Sequence, residues 1–213
     1  MQTWAIVVAA GSGARFGGPK QLVRLDGVTL LDRAVGAARE ACDRVVVVVG
    51  DSLRWKPPAD VVTTAGGETR SDSVRAGLAQ VASDAGIVVV HDAARPLASR
   101  SLFAAVIDAV RAGADAAVPA LAVVDTVKRL AGDQVVETVA RDDLVVVQTP
   151  QAFRAGVLRA AHAGGASGTD DAALVERAGG RVVVVPGDAR NVKITVAADL
   201  ELARALLDAG GPR

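Results

Sequence analysis

Short apolar runs alternate with amphipathic, alanine-rich stretches along most of this chain of 213 residues. The apolar runs have the length and valine content of buried strands, and the alanine-rich stretches have helical spacing. The alternation predicts an α/β fold with a mostly parallel sheet. We predict strands near Trp4–Ala9, Arg44–Val49, Val61–Thr64, Ile87–His91, Ala114–Pro119, Val145–Gln148, Arg181–Val185 and Val192–Thr195. We predict helices near Thr29–Cys42, Ser71–Val81, Ser99–Ala112, Ala152–Ala163, Thr169–Ala178 and Ala197–Ala209.

The segment 122–139 breaks this alternation. Its two halves, Val123–Leu130 and Gln134–Val139, have period-two patterns, and a glycine turn at 131–133 separates them. The pattern predicts a β-hairpin, which is marginally stable unless it packs on something else. A second copy of the chain is the simplest partner, and an edge hairpin on the main sheet is the alternative. No repeat or linker divides the sequence, so we predict one domain over residues 1–213.

Composition excludes several classes of function. Aromatic residues make up 2% of the chain, so a nucleic-acid groove built on base stacking is not expected. The 24 basic and 24 acidic residues balance, so no global charge attracts nucleic acid or anionic lipid. Cys42 is alone, which excludes an internal disulfide and a cysteine-based metal cluster. The apolar runs are too short to span a bilayer, and no signal peptide is evident, so we expect a cytoplasmic protein.

The most informative segment is the loop that follows the first predicted strand, from Ala9 to Gln21. Gly11 and Gly13 allow a tight turn that brings backbone N–H groups close to a ligand. Arg15 and Lys20 add positive charge beside these donors. The combination predicts a site for a polyphosphate.

Two common phosphate loops fit this segment poorly. Lys20 lies between Pro19 and Gln21, whereas a Walker A loop needs Gly-Lys-Ser or Gly-Lys-Thr. A dinucleotide fingerprint needs a third glycine where Phe16 stands, followed directly by a helix. Asp51 could bind a ribose and keeps the dinucleotide interpretation open. A plain glycine turn with two solvated cations is the remaining alternative.

Other distinctive polar residues follow the predicted strands, at the sheet edge where ligands bind in such folds. They lie in the segments Gly66–Ser73, His91–Pro96 and Asp188–Lys193. Asp92 is a candidate magnesium ligand because Mg²⁺ takes one or two carboxylates together with phosphate oxygens and water. Its alternative role is helix capping or pairing with Arg95. We predict His91 to be a structural residue and His162 to lie at the surface.

Five motifs in this sequence resemble the 2-C-methyl-D-erythritol 4-phosphate cytidylyltransferase family of the non-mevalonate isoprenoid pathway. The resemblance extends from residue 5 to about residue 205, with the motifs in the family's order. These motifs are Gly-Ser-Gly-Ala-Arg with Pro-Lys-Gln, His91–Pro96, Asp125–Arg129, Thr149–Gln151 and Asn191–Thr195. The resemblance implies a three-layer α/β/α Rossmann-like nucleotidyltransferase fold. It also implies a homodimer whose protruding β-arms, here residues 122–139, embrace each other.

The resemblance further implies roles for individual residues. CTP would be bound by the Gly11–Lys20 loop, and Mg²⁺ would bind near Asp92. The implied nucleotide-binding residues are Ala10, Gly11, Gly13, Gly67, Ser73, Asp92 and Ala93, and the implied catalytic residues on the phosphates are Arg15, Lys20 and Lys193. The acceptor, a sugar-alcohol phosphate, would contact Arg95, Thr126, Arg141 and Thr149. Of these, Thr126 and Arg141 would come from the partner chain.

The sequence departs from the family pattern at two places. The loop between Arg15 and Pro19 is shorter than expected, and Glu68 replaces an expected aspartate. The implied reaction is attack of the acceptor phosphate on the α-phosphorus of CTP, with release of pyrophosphate. Three alternatives stay open: the same transfer to another acceptor such as ribitol 5-phosphate, a nicotinamide oxidoreductase, and a non-catalytic nucleotide-binding module.

Overall fold

The computed structural model describes residues 1–51 and 53–209. The strands are β1 (Thr3–Ala9), β2 (Arg24–Leu25), β3 (Val28–Thr29), β4 (Arg44–Val49), β5 (Val61–Ala65), β6 (Ile87–Asp92), β7 (Ala116–Ala122), β8 (Val127–Ala131), β9 (Gln134–Val139), β10 (Val145–Val147), β11 (Gln151–Arg154) and β12 (Val182–Pro186). The helices are α1 (Leu30–Ala41), α2 (Arg70–Leu78), α3 (Arg100–Arg111), α4 (Ala155–His162), α5 (Asp171–Arg177) and α6 (Ala197–Asp208).

Eight strands form the central sheet in the order β10-β7-β11-β6-β1-β4-β5, with β12 paired to β7. Strand β1 is parallel to both of its neighbours, β4 and β6, and β5 continues the parallel half beyond β4. Strand β12 is parallel to β7. Strands β10 and β11 run antiparallel to their partners. The predicted mostly parallel sheet is confirmed.

Two buried clusters, one on each face of the sheet, give the predicted three layers. One face packs on α1 and α3, with Leu31 and Phe103 fully buried. The other face packs on α2, α4 and α5, with Leu158 and Val175 fully buried. Four of these six helices, α1, α2, α3 and α5, begin at a side-chain cap that the sequence provides. Asp170, for example, accepts the N–H of Ala173 at the start of α5 at 2.9 Å.

One predicted helix starts at the wrong residue, and one predicted strand is wrong. The helix predicted over Ala152–Ala163 begins only at Ala155, because Gln151–Arg154 forms β11 between β6 and β7. Ala152 and Phe153 are fully buried there, so tertiary packing overrides the helix preference of an alanine-rich stretch. The predicted strand Val192–Thr195 is irregular; Ile194 donates its N–H to Ala94 O at 2.8 Å and buries its side chain in a small cluster beside α6.

The hairpin predicted in the segment 122–139 is confirmed as β8 and β9, joined through Gly132 and Asp133. Gly132 has φ 61°, a left-handed conformation that suits glycine. These strands pair with each other and not with the main sheet, so the edge-hairpin alternative is wrong. Their role as a dimer arm stays a prediction. Over the described ranges, no helix is both long and apolar enough to cross a membrane.

Candidate active site

A cavity of about 530 Å³ lies at the carboxyl ends of β1, β5 and β6. Its walls are the loop after β1, the turn between β5 and α2, the end of β6, and the segment before α6. Ten residues selected from the sequence line this one cavity, namely Ala10, Gly11, Gly13, Arg15, Lys20, Gly67, Ser73, Asp92, Ala93 and Lys193. The cavity therefore lies beyond the carboxyl ends of the strands, where a ligand site is expected in such folds.

The loop after β1 has a backbone conformation that requires glycine. Gly13 has φ 70°, and a Cβ at this position would lie 1.9 Å from Gly18 O. Gln21 is buried beneath the loop and donates from Nε2 to Ala9 O at 2.7 Å and to Gly11 O at 2.5 Å. A short 3₁₀ turn, Ala14–Phe16, follows instead of a helix. This outcome agrees with the absence of a dinucleotide fingerprint and leaves the Gly11–Gly13 backbone facing the cavity.

The opposite wall is the glycine turn that opens α2. A Cβ on Gly66 would lie 2.3 Å from the Cβ of Ala10, so glycine permits the two walls to approach each other. Ser73 Oγ accepts the N–H of Gly67 at 3.2 Å and fixes the turn. Thr69 caps α2 and accepts the N–H of Asp72 at 3.1 Å. The cavity is thus bounded by two backbone turns whose geometry is set by local hydrogen bonds.

Asp92, at the end of β6, is held by two cations. Its Oδ1 accepts from Arg70 Nε at 3.2 Å, and its Oδ2 accepts from Lys193 Nζ at 2.7 Å. Burial alone would raise the pKa of this carboxyl group, but Arg70 and Lys193 hold the pKa well below its usual range. The alternative that Asp92 pairs with Arg95 is wrong. An ionised carboxylate therefore faces the cavity.

Positive charge exceeds negative charge around the cavity. The charged lining side chains are Arg15, Lys20, Arg70 and Lys193 against Glu68 and Asp92. Burial lowers the pKa of Lys20, and the like charges of Lys193 and Arg15 lower it further. Lys20 Nζ donates to the backbone oxygen of Ile194, so the ammonium group is held beside the Lys193 segment. A polyanionic ligand would stabilise such a cluster of mutually repelling cations.

The four residues predicted for the acceptor do not line this cavity. Thr149 is buried, and its Oγ1 accepts the N–H of Asp92 at 3.0 Å. Arg95 donates to Asn191 O at 2.7 Å, and burial lowers its pKa. Thr126 and Arg141 are exposed at the base of the β8–β9 hairpin, where Arg141 donates to the backbone oxygen of Val124. Two of the four therefore lie next to the Asp92 segment and two at the hairpin.

The two histidines have structural surroundings. His91 is fully buried, and its ring lies 3.2 Å from both Arg95 O and Thr149 Oγ1. The prediction of a structural residue is confirmed by these contacts, and burial lowers the pKa of His91 to about 4. The surface position predicted for His162 is wrong, because this residue is buried against Asp171 with Nε2 and Oδ1 2.9 Å apart. Neither histidine lines the cavity.

Sequence reasoning missed two residues of this site, Arg70 and Gln21, as functional side chains. Arg70 lies three residues after Gly67 and lines the cavity. Its position, on the first turn of a helix opened by a glycine pair, was the available signal. Gln21 adjoins Lys20, and its burial depends on hydrogen bonds to Ala9 O and Gly11 O that nothing in the sequence indicates.

The residues present fit one divalent cation bound together with phosphates. Within 1–51 and 53–209, no group of three or more histidine, cysteine or acidic side chains is placed to bind a metal ion. Asp92 supplies one ionised oxygen-donor group beside the Gly11–Lys20 loop. Mg²⁺ is commonly bound by one or two carboxylates while substrate phosphates and water complete the coordination. Asp92 would hold such an ion.

The glycine loop, the strand-end carboxylate and the cation cluster on this sheet define a nucleotidyltransferase. Comparison with known proteins narrows the class. The family model described as IspD: 2-C-methyl-D-erythritol 4-phosphate cytidylyltransferase matches residues 3–209. The chain belongs to this cytidylyltransferase family of isoprenoid biosynthesis.

Individual relatives agree over nearly the whole chain. A 2-C-methyl-D-erythritol 4-phosphate cytidylyltransferase of Rhodococcus jostii is 49% identical, with 97% of this chain and 95% of the relative covered. One from Deinococcus radiodurans is 45% identical, with 96% and 89% covered. The crystal structure of the enzyme from Thermus thermophilus has a TM-score of 0.86 and 36% identity, covering 98% of this chain and 100% of that chain. The similarity therefore includes every segment that lines the cavity.

Proposed function

We propose that the cavity binds CTP with its triphosphate on the Gly11–Lys20 loop, and that the chain transfers the cytidylyl group to 2-C-methyl-D-erythritol 4-phosphate. The observation that carries this proposal is the convergence of the loop, Asp92 and Lys193 on one cavity of about 530 Å³. The Gly67–Ser73 turn forms the opposite wall, which suits backbone contacts to the base and ribose. The oxygen of the acceptor phosphate forms a new phosphoanhydride bond to the α-phosphorus, the bond between the α- and β-phosphates of CTP breaks, and pyrophosphate leaves.

The attacking group is an oxygen of the acceptor phosphate, and it needs no general base. A phosphomonoester has a second pKa of about 6, so it is largely ionised at neutral pH. The site agrees with the absence of a general base, because His91, which precedes Asp92, is buried and its ring is bonded to Arg95 O and Thr149 Oγ1. What the protein has to do is align the two phosphates and stabilise the charge that develops between them.

Three cations are positioned for that purpose. Lys20 and Lys193 line the cavity beside each other, and Arg15 extends from the 3₁₀ turn of the loop. Because Lys20 is bonded to Ile194 O, its ammonium group is already held at the cavity before a nucleotide arrives. Preorganised charge of this kind stabilises a transition state without reorganisation during the reaction. Mg²⁺, when held by Asp92 and the phosphates, would neutralise further negative charge on the phosphate oxygens.

The acceptor site is proposed to be shared between two copies of the chain. Thr126 and Arg141 flank the β8–β9 hairpin and lie outside the cavity of their own chain. The hairpin and the adjacent β10 expose large apolar side chains, including Leu130, Val136 and Val146 at 58%, 53% and 56%. Exposed apolar surface on a two-stranded ribbon favours association. In the proposed dimer, each hairpin brings its Arg141 to the partner's cavity.

A mixing experiment tests this sharing. Homodimers of Lys20→Ala and of Arg141→Ala should each be nearly inactive. In an equal mixture after subunit exchange, about half of the dimers are heterodimers, and each has one site with both defects and one with neither. About a quarter of all sites should then regain activity. If both residues served the same chain's site, every site would keep a defect and mixing would restore nothing.

The acceptor is tested by pyrophosphate release from CTP with a panel of sugar phosphates. We expect 2-C-methyl-D-erythritol 4-phosphate to give the highest kcat/KM and ribitol 5-phosphate a much lower one. Pyrophosphate release that is faster with another polyol phosphate would refute the acceptor and leave the cytidylyl transfer intact. Absence of release with every phosphate would refute the enzymatic function of the site.

A further inference from the structure

A line of buried polar side chains runs from the cavity into the protein. Asp92, which lines the cavity, accepts from Arg70 Nε at 3.2 Å, and Arg70 Nη1 donates to Asp171 Oδ2 at 2.7 Å. Asp171 Oδ1 in turn accepts from His162 Nε2 at 2.9 Å. The side chains of Asp171 and His162 are 0% and 2% exposed, and neither residue lines the cavity. These two residues therefore cannot touch a ligand bound there.

Burial of this kind needs an explanation. A carboxylate removed from water is costly unless it is paired and hydrogen-bonded, and Asp171 is paired on both oxygens. Burial would lower the pKa of Arg70, but Asp92 and Asp171 beside it raise the pKa above its usual value. The guanidinium group is therefore a fixed charge whose orientation is set from behind by Asp171.

The geometry of the Arg70 guanidinium decides which oxygen of Asp92 faces the cavity. Nε and Nη1 lie in one rigid plane, so fixing Nη1 on Asp171 also fixes the direction of the Nε–H bond to Asp92 Oδ1. The other oxygen, Oδ2, is then left to Lys193, whose side chain is 43% exposed. Lys193 is the more exposed of the two partners of Asp92, and it is the one that the family resemblance assigns to the phosphates.

We propose that Arg70 is a positioning residue, which Asp171 and His162 hold in place so that Asp92 presents Oδ2 to a metal ion bound with the nucleotide. On this proposal Arg70 stays bonded to Oδ1 throughout, whereas Lys193 leaves Oδ2 for the phosphates when the metal–nucleotide complex binds. The inference rests on the proposed role of Asp92 toward Mg²⁺. It adds a set of three residues that neither the motifs nor the family resemblance assigned to the site.

The test measures CTP binding by calorimetry without an acceptor, in the presence and absence of Mg²⁺, so that no turnover occurs. The variant is Arg70→Met, which keeps the apolar stem and removes both hydrogen bonds. The matched control is Arg75→Met on the same helix. The Arg75 side chain is 26% exposed, as is that of Arg70, and it is also paired with an aspartate, but it does not line the cavity.

Partners that orient a metal ligand change metal affinity by about 10- to 100-fold when removed. We therefore expect the Mg²⁺-dependent gain in CTP affinity to be at least about tenfold smaller in Arg70→Met than in the wild type. CTP affinity without Mg²⁺ should change less. Arg75→Met should keep the full gain. Thermal unfolding of each variant is measured alongside, since a role in stability alone would lower the midpoint and leave the Mg²⁺-dependent gain as in the wild type. That result would overturn the proposal.

A second variant covers the case in which Arg70→Met does not fold. Arg70→Lys keeps the positive charge between the two carboxylates but lacks the rigid fork. We expect it to fold and to lose a measurable part of the Mg²⁺-dependent gain, and a gain equal to that of the wild type would refute the positioning role. If the wild type itself showed no gain with Mg²⁺, the metal role of Asp92 would fail and the inference with it. If the wild type showed the Mg²⁺-dependent gain and both Arg70 variants showed the same gain, the positioning role of Arg70 would be refuted and the metal role of Asp92 would stand.

Discussion

Replacing Lys20 with methionine separates the catalytic role of this side chain from its contribution to stability. Methionine keeps much of the length and apolar stem of lysine but has no charge and no donor. The Nζ of Lys20 bonds to the backbone oxygen of Ile194, and Lys193 and Arg15 oppose its charge. The variant should therefore lose activity without losing stability.

The magnitudes follow from the contacts. Removing one preorganised donor from a site of developing charge lowers kcat by about 10²- to 10³-fold, or about 2.7–4 kcal/mol of transition-state stabilisation. In the folded state, the lost hydrogen bond to Ile194 O costs about 1 kcal/mol. The pKa of Lys20 is lowered, so the folded state disfavours its charged form at neutral pH, and removing the charge offsets that loss. The free energy of unfolding should change by less than about 1 kcal/mol.

The assay is steady-state pyrophosphate release at saturating CTP and acceptor, with urea unfolding measured on the same preparations. Lys56→Met is the matched control, because Lys56 is exposed and lies outside the cavity, and its kcat should equal that of the wild type. A Lys20→Met enzyme with unaltered kcat would refute the catalytic assignment. A variant that is inactive because it unfolds would refute the prediction that Lys20 is free of a structural role.

Two further predictions concern β6. Asp92→Asn should raise the half-saturating Mg²⁺ concentration by about tenfold. The folded-state pKa of Asp92 is lowered, so its ionised form stabilises the wild type above about pH 4. Urea unfolding should show that the wild type loses this stability on acidification and that Asp92→Asn does not. Burial lowers the pKa of His91 to about 4, so as the pH falls below about 6.5 the unfolded chain takes up the proton before the folded chain does. His91 should therefore make the wild type about 2 kcal/mol less stable at pH 5 than at pH 7. His91→Gln should remove this loss in urea unfolding and leave the shape of the pH–rate profile unchanged, because the acid limb of that profile is expected to come from the acceptor phosphate, whose second pKa is about 6. Loss of the acid limb in His91→Gln would contradict the structural role of His91.

The part of the site that could be predicted from sequence is the part that is local in the chain. The glycines and cations of the Gly11–Lys20 loop lie within ten residues, and their chemistry alone indicates a polyphosphate. Asp92 could be selected because it follows a predicted strand, and Lys193 because it lies in the Asn191–Thr195 motif. Once a parallel sheet is predicted, these segments must meet at one edge.

What could not be predicted depends on contacts across the fold. His162 looked like a surface residue in an alanine- and glycine-rich stretch, yet it is buried because Asp171, nine residues later, turns back onto it. The link from Arg70 to Asp171 joins residues 101 positions apart. Strand β11 was missed for the same kind of reason, since Ala152 and Phe153 are extended only because β6 and β7 flank them. Periodicity in a single segment contains no information about such partners.

The central claim is that one cavity holds the triphosphate of CTP between the glycine loop and the Asp92–Lys193 pair. A crystal structure of the chain with CTP and Mg²⁺ tests it most directly. The account predicts phosphate oxygens within hydrogen-bond distance of the Gly11–Gly13 backbone and of Lys20 Nζ, with Asp92 Oδ2 released by Lys193 and bound to the metal ion. A nucleotide whose phosphates lie outside this cavity, or an Asp92 that stays bonded to Lys193 with no metal ion near it, would contradict the account.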